Sequence, residues 1–155
     1  PTMHADFKGI VEDTVNIRDE LSPGSRISLL SNAVLLDKPD VRDALYKIDI
    51  NILKLDTAKE KTFLTINKPA PGISLQRIIQ NLISFDGQKT LQTLFLRGTG
   101  PYSDVDNTTP EETDALIEAY KKIRPDSIMV YTYHRDTPTE HLQKVPAGEL
   151  EEIAG

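Results

Sequence analysis

Four apolar runs in this sequence stop at polar residues, and those stops hold the side chains best suited to chemistry: Ser31-Asn32, Asp56-Thr57, Arg97-Gly98-Thr99-Gly100 and Tyr133-His134-Arg135-Asp136. A hydroxyl beside an amide can grip a polar ligand, or the pair can close a turn through bonds to its own backbone. Asp56 is equally suited to ligand binding and to capping the turn that follows it. Arg97 and the two glycines after it resemble a phosphate loop only in composition, because the lysine and the spacing of a P-loop are absent. His134 with Arg135 and Asp136 offers acid–base or anion chemistry, although a solvated Arg–Asp pair beside a surface histidine reads the same way. The other histidines, His4 and His141, form no HxH or HxxxH pair that would suggest a metal, and no Ser–His–Asp order is recognisable. The 155 residues include no cysteine, which excludes disulfides, a thiolate nucleophile and a cysteine-ligated zinc or iron–sulfur site within them.

The elements that must carry these stops are four strands and five helices. The strands are Arg26–Ser31, Asn51–Asp56, Leu91–Arg97 and Ser127–Tyr133, whose apolar residues run together as in strands covered on both faces. Ala5–Leu21 places Phe7, Ile10, Val11, Ile17 and Leu21 at helical spacing. Asp40–Lys47 follows Pro39, a residue favoured at a helix start. Ser74–Phe85 opens on Ser74 as N-cap. Thr109-Pro110-Glu111-Glu112 has the form of a capping box with proline at the first helical position, followed by the stripe Leu116, Ile117, Tyr120 and Ile123. Gly148–Ala154 ends the chain as a short helix, while 67–72 and 98–108 read as loops. Alternation of this kind predicts one α/β domain over residues 1–155 with a parallel sheet and right-handed crossovers. In such sheets ligands bind at the carboxyl ends of the strands, so the four polar stops converge on one rim.

Composition narrows the function classes. The hydrophobic fraction of 38% and charged fraction of 27% are those of a globular protein. No apolar run is long enough to span a bilayer and no segment has signal-peptide order, so the expectation is a cytoplasmic protein without a membrane partner. A net charge of −6 without a block of Lys or Arg argues against nucleic acid as a partner of this segment.

Pro1-Thr2-Met3-His4-Ala5-Asp6-Phe7 resembles the end of the "GEPT-L-H-x-D-F" stretch of radical S-adenosylmethionine (radical SAM) proteins, with Pro1 as the last residue of its GGEP-type motif. Ser28–Leu36 is similar to the third core strand and its "T/S-N-G" end, with Ala33 where glycine is usual. Asp43–Thr57 resembles the fourth-strand segment ending in "KLD", Leu91–Gly98 the fifth strand, and Ile123–Pro138 with Val145–Ala154 the sixth strand and the exit of the core. Thr62–Pro69 and Ser74–Phe85 match the intervening loop and helix. The resemblance covers essentially the whole chain and points to the iron–sulfur oxidoreductases similar to wyosine synthases.

That resemblance implies a partial TIM-type (β/α) barrel of about four strands, the rear part of a (β/α)6 core. It implies an enzyme that uses S-adenosylmethionine and a [4Fe-4S] cluster for radical chemistry, with the cluster held by a CxxxCxxC motif that this chain does not contain. Pro1, Ser31, Asn32, Asp56 and Arg97 would face the cofactor, and Tyr131, Tyr133 and Arg135 the substrate. No residue here would hold metal, and the chain alone would be inactive. A non-catalytic half-barrel serving as a binding or scaffold module is the alternative. In either case an unpaired sheet edge at Arg26–Ser31 would favour self-association.

Overall fold

The computed structural model describes residues 1–99, 104–134 and 141–155. Four strands, β1 (Ser28–Ser31), β2 (Ile50–Lys54), β3 (Thr90–Leu94) and β6 (Ser127–Tyr131), pair in the order β1-β2-β3-β6, every pair parallel. The stops that follow β1 and β2, at Ser31-Asn32 and Asp56-Thr57, and Tyr133-His134 after β6 therefore lie along one edge, while Arg97-Gly98 falls in a separate sheet and Gly100, Arg135 and Asp136 lie outside the described residues. Helices α1 (Phe7–Leu21), α2 (Pro39–Leu45), α3 (Glu60–Asn67), α4 (Leu75–Ser84), α5 (Pro110–Ile123) and α6 (Ala147–Ala154) complete the described chain. A second, antiparallel sheet, β5-β4-β7, is formed by β4 (Leu96–Gly98), β5 (Val105–Asp106) and β7 (Leu142–Lys144).

The core lies between one face of the parallel sheet and the helices, where Leu53 and Leu91 on the strands meet Leu45, Leu82 and Leu116. Residues facing the same way on neighbouring strands stay in register, as in Leu30↔Ile52 and Lys54↔Gln92↔Met129. Both rows lie on the sheet's other face, and it is open: Leu30 is 54% exposed and Met129 42%. The apolar runs predicted strands covered on both faces; among the described residues no helix packs on the open face.

Four other expectations are corrected. The expected strand Leu91–Arg97 is two strands in different sheets, because the Phe95 N–H makes the last bond of the parallel ladder, to the Tyr131 carbonyl at 2.8 Å, before the chain turns. The capping box at Thr109 starts a helix but does not close. The Thr109 hydroxyl makes no capping bond, and the Glu112 carboxylate accepts instead from the Thr57 hydroxyl at 2.6 Å and the Thr62 hydroxyl at 2.5 Å. Along α1, Phe7 and Val11 are buried, while Ile10, Ile17 and Leu21 are exposed on a stripe about a quarter turn from Val11. Ser74 does cap α4, accepting from the Arg77 N–H at 3.3 Å. Helix α3 and strands β5 and β7 arise where loop or no element was read.

Candidate functional site

At the end of β1, Ser31 Oγ accepts from the Ala33 N–H at 3.2 Å and Asn32 Oδ1 from the Val34 N–H at 3.4 Å. Both side chains thus shape the turn, and they do so around Ala33, whose φ of 59° lies in the left-handed region. Thr2 Oγ1 sits 3.5 Å from Ser31 Oγ, so the first residues lie against the end of this strand. Pro1, Met3, Leu30, Ser31, Asn32, Lys54 and Gln92 line a cavity of about 220 Å³ there.

At the end of β2, Asp56 is enclosed. Its Oδ1 accepts from the Leu94 N–H at 3.0 Å, continuing the ladder to β3, and its Oδ2 accepts from Asn67 Nδ2 at 2.7 Å and lies 3.2 Å from Lys54 Nζ. The carboxylate side chain has no exposed surface, whereas that of Lys54 is 34% exposed. Asp56 thus serves as a junction between β2, β3 and α3, and Lys54 is the charge it presents. Asn107, wholly buried, braces the same junction. Its Nδ2 donates to the carbonyls of Asp56 (2.9 Å) and Leu94 (2.7 Å), and its Oδ1 accepts from the Leu96 N–H at 2.8 Å.

A larger cavity of about 610 Å³ opens beside this junction, between the strand ends and the α3–α4 segment. Asn32, Asp56 and Tyr133 line it among the predicted site residues, and Met3, Asn32 and Lys54 are shared with the smaller cavity. The Tyr133 hydroxyl donates to the Leu142 carbonyl at 2.6 Å. Tyr131 lines neither cavity, but it stands close to the junction: burial raises its phenol pKa, the Lys54 ammonium lowers it and the Asp56 carboxylate raises it further.

Arg97 is elsewhere. On β4 it bonds to Asp106 (3.1 Å), to Thr108 Oγ1 (2.5 Å) and to both carboxylate oxygens of Glu149. This latches the first turn of α6 to the antiparallel sheet, and Arg97 lines neither cavity. Arg135 lies outside the described residues. The structure thus brings Pro1, Ser31, Asn32, Asp56, Tyr131 and Tyr133 to one rim and sets Arg97 apart. Sequence reasoning missed Lys54 and Asn107. A lysine two places before a strand-end aspartate, in an otherwise apolar strand, was the available signal for the first; the second gives none.

No protein-family model matches the chain. Two relatives match in sequence. A protein named GTPase Obg from Brachyspira hyodysenteriae is 28% identical over 155 residues, 97% of this chain and 21% of that protein. A UPF0026 protein of Methanocaldococcus jannaschii is 27% identical over 128 residues, 80% of this chain and 37% of that protein. The chain therefore spans only about a fifth and a third of their lengths, and it contains no G-x-x-x-x-G-K-[ST] of a nucleotide-binding P-loop. Solved structures with the same fold include Streptococcus suis SuiB bound to S-adenosylmethionine (TM-score 0.65, 16% identity, 99% of this chain and 32% of that one). They also include a domain of pyruvate-formate lyase-activating enzyme from Bacteroides vulgatus (TM-score 0.63, 10% identity, 97% of this chain and 86% of that one). These neighbours are radical SAM enzymes, and the α/β architecture with its four-stranded parallel sheet matches their partial barrel.

Proposed function

We propose that this chain is the rear part of a radical SAM enzyme core, and that the cavity at the end of β1 holds part of S-adenosylmethionine in the intact protein. The observation that carries this reading is the extent of the fold likeness: 97–99% of the chain superposes on radical SAM enzymes, one of them with S-adenosylmethionine bound. The position of the rim supports it, since parallel sheets bind ligands at their carboxyl ends.

The donors at that end suit a polar cofactor. Asn32 has an exposed amide, Gln92 stands on the open face, and Pro1 to Met3 close one side. They would bind and orient the cofactor. S-adenosylmethionine, when bound, supplies the reactive group for radical chemistry; the protein's share is orientation and exclusion of water. A [4Fe-4S] cluster does not fit the residues present, because such clusters are held by cysteine thiolates and the sequence has none. No radical step is therefore assigned to residues of this chain. We place the cluster ligands in a preceding part of the same protein.

The assignment to the wyosine synthase-like group rests on the sequence resemblance alone. Equilibrium dialysis of S-adenosylmethionine against the intact protein and its Asn32→Ala variant tests the reading. Weaker retention by the variant, with an unchanged melting temperature, is expected; equal retention contradicts the role given to Asn32.

A further inference from the structure

The larger cavity has a composition that the cofactor reading leaves unused. Its volume of about 610 Å³ falls within the roughly 300–1,000 Å³ of small-molecule sites. Its wall along α3, α4 and the segment joining them is apolar, with Phe63, Ile66, Ile73, Leu75 and Ile78 contributing. The polar groups at the strand ends are mostly committed. Asp56 has both oxygens occupied and no exposed surface, and Asn67 Nδ2 donates to it.

Lys54 differs. An ammonium carries three donors; one points to Asp56 at 3.2 Å and the Tyr131 hydroxyl engages another, which leaves a third on a side chain 34% exposed where the two cavities meet. A cation held by a buried carboxylate at the mouth of an apolar chamber attracts an anion whose body can leave water. The nearby Asp56 charge disfavours a doubly charged phosphate against a singly charged group.

We propose that this cavity binds the apolar body of a carboxylic acid, with the carboxylate on Lys54, and that such an acid is the substrate class of the site. The substrate role rests on the reading of this rim as the protein's working site; the binding itself does not. Asp56 acts as a positioning residue that fixes the ammonium.

Isothermal titration of the chain with octanoate and with 1-octanol tests the inference without cofactor or cluster. Octanoate is expected to bind more tightly than the alcohol. Lys54→Met should weaken octanoate about tenfold, the scale of a lost charged hydrogen bond, and leave octanol unchanged. Ala70→Phe, which fills the chamber from the α3–α4 segment, should weaken both. Octanoate that fails to bind, or binds equally well to Lys54→Met, overturns the inference. So does binding to Ala70→Phe that matches the parent. S-adenosylmethionine binding, measured separately on the intact protein, tells this failure from failure of the cofactor reading.

Discussion

Lys54 Nζ lies 3.2 Å from Asp56 Oδ2 at the end of β2, with the carboxylate enclosed and the ammonium reaching solvent. The pair divides the labour of the rim between a residue that holds structure and one that meets ligands. Asp56→Ala leaves the Leu94 N–H and Asn67 Nδ2 without their acceptor and Lys54 without its partner. The expected loss in urea unfolding is about 3 kcal/mol, the scale for breaking a buried charged interaction. A loss near zero would show that Asp56 is not the junction.

Asn107 braces the same corner from β5's side. Its three bonds, to Asp56 and Leu94 carbonyls and the Leu96 N–H, have no alternative partner on a leucine. Asn107→Leu should cost about 2–4 kcal/mol by chemical denaturation, because three buried backbone groups lose a partner.

Ala33 occupies the left-handed region with φ 59°. An L-residue there is disfavoured by about 1–2 kcal/mol, which glycine escapes at the cost of a more flexible unfolded chain. Ala33→Gly is expected to raise stability by about 0.5–1 kcal/mol, read from the denaturation midpoint. A decrease would mean that packing of the Ala33 methyl, which is buried, outweighs the backbone term.

The Arg97 latch gives a pH dependence. The hydrogen bond from Arg97 holds the Glu149 carboxyl below its usual range, with burial opposing. A carboxyl whose pKa is lower when folded stabilises above its unfolded value, about 4.3, and loses that contribution as pH falls through the folded value. Exchange protection of α6 amides should therefore drop on acidification below about pH 4.3. Glu149→Gln should flatten that drop, and an unchanged profile in the variant would remove Glu149 as its cause.

The alternation of apolar runs and helical spacing made the parallel sheet legible, since strand and helix periods differ and crossovers follow. What the sequence hid was competition between partners. Glu112 had the spacing of a capping box, but the hydroxyls of Thr57 and Thr62 lie within reach of its carboxylate only once the chain is folded. Arg97 followed an apolar run, yet the run breaks at Phe95 and sends it to another sheet. Ile10, Ile17 and Leu21 keep helical spacing on α1 while facing solvent, because periodicity marks an apolar stripe and not what covers it.

That uncovered surface has a consequence for association. β1 ends the sheet order, and its own Leu30 is exposed. Unpaired strand edges recruit further strands, so light scattering on the 155-residue chain should show mass rising with concentration. Leu30→Lys should reduce the rise; a monomer at every concentration would show that the edge does not recruit a partner.

The proposed place of this chain in a radical SAM enzyme is tested most directly by product formation in the intact protein. Expressed from its whole reading frame, reconstituted anaerobically with iron and sulfide and reduced with dithionite, it should convert S-adenosylmethionine to 5′-deoxyadenosine and methionine. The 155-residue chain treated identically should form none, because it has no cysteine. Absence of 5′-deoxyadenosine from an intact protein that has taken up iron and sulfide would contradict the account, as would a reading frame without CxxxCxxC ahead of Pro1.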